Sequence, residues 1–245
     1  KTGQLFWHSP AVFVWQSGHN LISNNHIYDL GYTGMVLSGV RRRFFERLFD
    51  EDPFKQWTFP EGTREHIPSI RWDEIELKYG ITSWDSYEPY MHTRNNRIEY
   101  NEIHDCMNIL HDGNAIYLSA NGNGNSVLHN VIYHHPKGSA IRTDDDSHGN
   151  TLSGNLIFGT HSTMGIQVKG KNVAVQNILI NATLTTGGAG NTCDPGSIFK
   201  GNILFHTRFL PDEAYQFKLN MVKGQNMADN IYYHINEKIS RAKNE

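Results

Sequence analysis

Two short stretches concentrate the groups that proton-transfer chemistry needs. His111-Asp112-Gly113-Asn114 puts a carboxylate beside a glycine that permits a tight turn, just ahead of the apolar run Ala115–Leu118. Further on, Arg142-Thr143-Asp144-Asp145-Asp146 sets consecutive carboxylates behind an arginine. Carboxylates this close repel, which raises the pKa of at least one and suits it to act as a general acid. A second carboxylate within reach would act as base or nucleophile. Glycosidic cleavage uses such a pair, about 5–5.5 Å apart for retention and about 6.5–9.5 Å for inversion. Each stretch also has a plainer reading. Asp-Gly is a common turn dipeptide whose Asp bonds its own backbone. Asp144–Asp146 would equally suit a solvated turn, or a calcium ion held by clustered oxygens. Arg142 would clamp a substrate carboxylate or hydroxyl, or simply pair with the aspartates.

What positions these residues is an internal repeat. Asparagines recur five apart at Asn20/Asn25, Asn96/Asn101, Asn125/Asn130, Asn150/Asn155 and Asn172/Asn177, each pair followed two places later by an apolar residue. Successive second asparagines from Asn101 onward step by 29, 25 and 22 residues, periods that fit one solenoid coil per repeat. Leucine-rich repeats share the period, but their leucine framework is missing. A second short strand follows in each coil: Gly34–Ser38, Ala115–Ser119, Ala140–Asp144 and Gly165–Lys169. Alternation sends Met35, Ile116, Ile141 and Ile166 inward, with Leu37, Leu118, Thr143 and Val168 two places on. The spacing therefore predicts an all-β fold, a right-handed parallel β-helix spanning 1–245 as one domain. Its asparagines would stack at a turn and satisfy backbone groups that the turn would otherwise orphan.

Outward positions follow from the same alternation. One row is Val36, Tyr117, Arg142 and Gln167; the next is Ser38, Ser119, Asp144 and Lys169. The first strands expose His26, Glu102, Val131 and Leu156, then Tyr28, His104, Tyr133 and Phe158, with Asp29, Asp105 and His134 just beyond. One stretch, 41–92, breaks the repeat and is rich in charge and aromatics, including Trp84 and Tyr87. Insertions in a solenoid fall on one face, often the binding face, and a loop this long is more often functional than not. Its aromatic rings would stack on sugars or form the insertion's own small core.

Composition removes several classes. The net charge of −3 with 19% charged residues gives no basic excess for nucleic acid. No apolar run approaches the roughly 18–20 residues of a membrane span. Cys106 and Cys193 have no neighbouring cysteine, so free thiols are expected rather than a metal site. No histidine spacing points to zinc, and no cofactor is expected beyond the calcium alternative at Asp144–Asp146. The opening Lys1–Gln4 lacks a signal-peptide layout and leads directly into a coil, as in an excerpt of a longer chain. Oligomeric state is not legible.

The run Arg97–Asp105, then Asp112–Ser119, then Asp144-Asp145, resembles the right-handed β-helix proteins of the pectate-lyase-like superfold, closest to their glycoside-hydrolase-like members. The resemblance spans roughly 18–181 apart from the insertion. It implies a carbohydrate-active enzyme, most simply a glycoside hydrolase, with Asp112, Asp144 and Asp145 as catalytic carboxylates. Glu102, His104, His111, Tyr117 and Arg142 would position the sugar, with Trp84 and Tyr87 stacking on it. It also implies a carbohydrate partner and a secreted, periplasmic or cell-surface location. The polygalacturonase pattern is absent, with no Asn-Thr-Asp, Gly-His-Gly or Arg-Ile-Lys triplet. A polysaccharide lyase using Arg142 or Lys169 on a uronic acid, and a glycan-binding adhesin, are the alternatives.

Overall fold

The computed structural model describes residues 9–40, 85, 88–160, 164–187, 196–207, 226–234 and 240–241. Three parallel sheets wind into a β-solenoid of about 6 turns. Sheet A stacks Val12–Trp15, Met35–Ser38, Ile116–Ser119, Ile141–Thr143, Met164–Val168 and Thr183–Thr186. Sheet B runs from Leu21–Ser23 to Asn226–Ala228, its first five strands following the first asparagine of each pair and Ile198–Lys200 following Ser197, which takes the asparagine's place. Sheet C carries the strands that follow the second, from His26–Ile27 to Ile231–His234, with Ser240–Arg241 added antiparallel at its end.

The strands are short because each serves one face of a narrow prism. In sheet A, Met35 pairs with Ile116, Ile116 with Ile141, and Ile141 with Ile166, all fully buried. The register expected from alternation is thus the register observed. Ile98, Val127, Leu152, Ala174 and Phe199 make the matching inner row of sheet B. There the small Ala174 lies next to the large Phe199, so adjacent coils share volume and the row stays filled.

Turns are built around the asparagines. Asn101 donates its side-chain amide to Asn130 Oδ1 at 2.9 Å, Asn130 to Asn155 at 3.1 Å, Asn155 to Asn177 at 2.9 Å and Asn177 to Asn202 at 3.0 Å. Each of these oxygens also accepts the backbone N–H of the asparagine one coil back. A second ladder runs through Asn20, Asn96, Asn125, Asn150 and Asn172. Amide and backbone are satisfied together, as a buried turn requires.

Two sequence expectations change. The row Ser38, Ser119, Asp144, Lys169 was expected to face solvent, yet Ser119, Asp144 and Lys169 are buried. Asp144 and Lys169 are covered by their mutual ion pair and by the Tyr117 hydroxyl, as detailed below. Val36 is also buried, although its row partner Tyr117 is half-exposed. Most of the 41–92 insertion, Trp84 and Tyr87 included, lies outside the described residues. Its return limb is described: Glu88–Tyr90 form a 3-10 turn, and Thr93 donates its hydroxyl to the Ser38 carbonyl at 2.6 Å, closing the loop against sheet A. Cys106 is a buried free thiol pushed up to about 12 by burial, whereas Cys193 lies outside the described residues. Among the described residues, no helix is long and apolar enough to cross a membrane.

Candidate active site

Sheet A brings Tyr117, Arg142 and Gln167 side by side, one per coil. Arg142 bonds one carboxylate on the coil before its own and one on its own coil. Its Nη1 lies 3.2 Å from Asp112 Oδ1, in the turn that precedes the strand one coil back. Its Nη2 lies 2.9 Å from Asp144 Oδ2, two residues further along its own strand. One planar guanidinium bonded to both keeps the two carboxylates under the upper limit of about 9.5 Å at which glycosidic pairs work.

Asp144 is the hub. Tyr117 donates its hydroxyl to Asp144 Oδ2 at 2.5 Å, and the Lys169 ammonium donates to Asp144 Oδ1. The same ammonium reaches Asp145 Oδ1 at 3.0 Å. Three successive coils therefore converge on one carboxylate: Tyr117 from behind, Arg142 from its own strand, Lys169 from ahead. Burial alone would raise the Asp144 pKa. Arg142, Lys169 and Tyr117 outweigh it and hold the carboxyl down at about 2. This corrects the expectation that crowding among Asp144, Asp145 and Asp146 raises the pKa at this end of the strand. Like charges next door count for less than two cations in contact. Conversely, Arg142 is raised by Asp144, Tyr117 and Asp112 against the lowering effect of its burial.

Accessibility divides the aspartates. The Asp144 side chain is 7% exposed, that of Asp145 44% and that of Asp112 78%. Asp112 takes a left-handed backbone at φ 56°, and Tyr32 donates its hydroxyl to the Asp112 carbonyl at 3.0 Å, so the turn presenting it is anchored. Arg142 also lies 5.7 Å from the Tyr117 ring centroid, within range of a cation–π contact. The arrangement is one ionised, recessed carboxylate, one carboxylate at the rim, and a shared cation between them. Calcium at Asp144–Asp146 would have to displace the ammonium and guanidinium that already bind the Asp144 oxygens.

The hydrolase reading had grouped Glu102 and His104 with Asp112 and Arg142 as sugar-positioning residues. The structure places them on sheet C instead, while Tyr117, Arg142 and Asp144 belong to sheet A. His111 is exposed in the turn beside Asp112. Along sheet C, Tyr28, His104, Tyr133 and Phe158 stack ring on ring at 5.3, 4.6 and 5.1 Å. Lys169 is the residue whose role the sequence left least defined. Its place in the Asp144 row and its part in the lyase alternative marked it, and its side chain proves to be the main link from Asp144 to the next coil.

The class this defines is a parallel β-solenoid with a charged cluster on one sheet. Compared with protein-family models, with curated proteins and with solved structures, the chain matches none.

Proposed function

We propose that the chain is a carbohydrate-active enzyme, a glycoside hydrolase that cleaves a polysaccharide or oligosaccharide over the outward side of sheet A. The observation that carries this reading is Arg142 held between Asp112 at 3.2 Å and Asp144 at 2.9 Å. Glycosidic cleavage needs two carboxyl groups in opposite protonation states, set apart by their environments. Asp144, held ionised at about 2, serves as nucleophile or base. Asp112, exposed at the rim on the far side of Arg142, serves as proton donor. Arg142 and Tyr117 keep the Asp144 oxygens oriented, and Asp145 extends the acidic edge. A secreted or cell-surface location belongs to the same reading.

A polysaccharide lyase is the second reading, favoured by one observation: Arg142, Lys169 and the Tyr117 hydroxyl meet at a single carboxylate site. A uronate carboxylate could take the place that Asp144 holds between the cations.

A polysaccharide panel assayed for new reducing ends and for the ultraviolet absorbance of an unsaturated uronate tests both. The hydrolase predicts reducing ends without absorbance, with Asp112→Asn and Asp144→Asn each reducing turnover by about 10²–10⁴-fold. Absorbance, lost in Lys169→Ala but retained in Asp112→Asn, would make it a lyase. Binding without any cleavage, unchanged in Asp112→Asn, would leave an adhesin.

A further inference from the structure

A second cluster lies on sheet C, away from the aspartates. His26 pairs in register with Glu102, and alternation puts His104 on the same outward side as Glu102. The Nε2 atoms of His26 and His104 face each other at 2.8 Å, and His26 Nε2 lies 3.9 Å from Glu102 Oε1. One ligand atom from each of the three residues falls within 4.8 Å of the others.

The partners around the cluster set its chemistry. His104 Nδ1 sits 2.6 Å from Asp105 Oδ2, which accepts the ring's Nδ1–H. That bond leaves the Nε2 lone pair of His104 directed at His26 and Glu102, the tautomer a metal ligand needs. Tyr133 donates its hydroxyl to Glu102 Oε1 at 2.6 Å and steadies the carboxylate. The His104 ring is itself sandwiched between Tyr28 and Tyr133. Ligands held about 2.0–2.1 Å from a tetrahedral ion lie about 3.3 Å from one another. The observed 2.8 and 3.9 Å bracket that value, so small side-chain movements would equalise them.

We infer that His26, Glu102 and His104 bind a first-row divalent metal ion, with Zn²⁺ the best fit, oriented by Asp105 as an outer partner. Two imidazoles and one carboxylate select Zn²⁺, Cu²⁺ or Ni²⁺ over Ca²⁺ and Mg²⁺, which prefer all-oxygen sets. Three protein ligands leave a coordination position for water. The ion ties together two coils that are adjacent in space but lie on either side of the 41–92 insertion. His26 and His104 are 78 residues apart in the chain, and a cross-link that closes so long a loop restricts the unfolded state most. Nothing in this inference depends on the aspartate site.

Calorimetric titration of chelator-stripped protein with zinc chloride, together with thermal unfolding, tests it. The expected result is one strong site and a higher unfolding temperature with Zn²⁺, not reproduced by Ca²⁺ or Mg²⁺. His26→Ala and His104→Ala abolish that site, and Asp105→Asn weakens it by about 10–100-fold. Asp105 has a left-handed backbone at φ 48°, which Asn tolerates, so this variant keeps the fold even where a histidine variant does not. Zinc binding that is unchanged in His26→Ala and Asp105→Asn would overturn the site, as would absence of binding in the wild type. Binding that leaves the unfolding temperature unmoved would overturn the tie between coils.

Discussion

Asp144 is ionised because its neighbours are cations in contact, and that gives the protein a pH signature. Its folded pKa of about 2 lies below the ordinary 3.8. The ion pairs therefore contribute in full above the unfolded pKa and are lost as pH falls through the folded one, between about 4 and 2. His135 acts higher up the scale. It is fully buried, and burial pushes its imidazole down to about 4 from 6.5. The unfolded chain takes up that proton first, so stability declines as pH drops from about 6.5 to about 4. Urea midpoints measured from pH 7 to pH 2 should fall in two stages. His135→Gln should flatten the upper stage and Asp144→Asn the lower. A single carboxylate-range transition that neither variant alters would remove both assignments.

At the scale of the elements, the turn between sheets B and C is the repeated device. The residue before each second asparagine has a left-handed backbone, with φ between 53° and 66° from Asn24 through Tyr100, His129, Gly154, Gln176 and Gly201 to Asp229. A side chain there costs roughly 1–2 kcal/mol, yet Tyr100, His129 and Gln176 are accepted. The asparagine that follows offsets the cost by bonding two coils at once. At Gly154 the conformation meets a second demand, since a Cβ would come within 2.4 Å of His129 Nδ1. Asn155 accepts from Asn130 twice and donates to Asn177 and to the Val127 carbonyl. Asn155→Ala orphans several buried groups and should cost about 3 kcal/mol or more, whereas Asn25→Ala at the exposed end should cost about 1 kcal/mol. Urea titration of both variants checks this. Equal costs would mean that the ladder fills space rather than satisfying hydrogen bonds.

Across the whole molecule, stability passes from coil to coil, because each coil touches only its neighbours. The central coils bury their inner rows on both sides. At the two ends the inner rows are only partly buried, at Val12 and Ile22 in the first coil and at Met227 and Tyr232 in the last described one. Amide hydrogen exchange should accordingly be slowest across 126–158 and faster in Val12–Trp15 and Ile231–His234. Uniform protection from end to end would indicate one cooperative unit instead.

Much of this fold is legible in the chain itself, since it depends on local pattern. Asparagines five apart, and apolar residues two places beyond them, specify a turn and an inward side chain without any knowledge of neighbours. Identical coils can then stack in one register only if like rows meet, so Met35, Ile116, Ile141 and Ile166 could be aligned before the sheet was seen. The electrostatic state of the site is different in kind. Asp144 draws its partners from positions 27 residues before and 25 after it, and what counts is which atoms touch, not which residue types share a row. The sequence alone therefore placed Asp144 beside its like charges, and only stacking showed that cations dominate it. The same holds for His26 and His104. The repeat set them in neighbouring outward rows, but only the tertiary structure shows that their ring nitrogens and the Glu102 carboxylate meet.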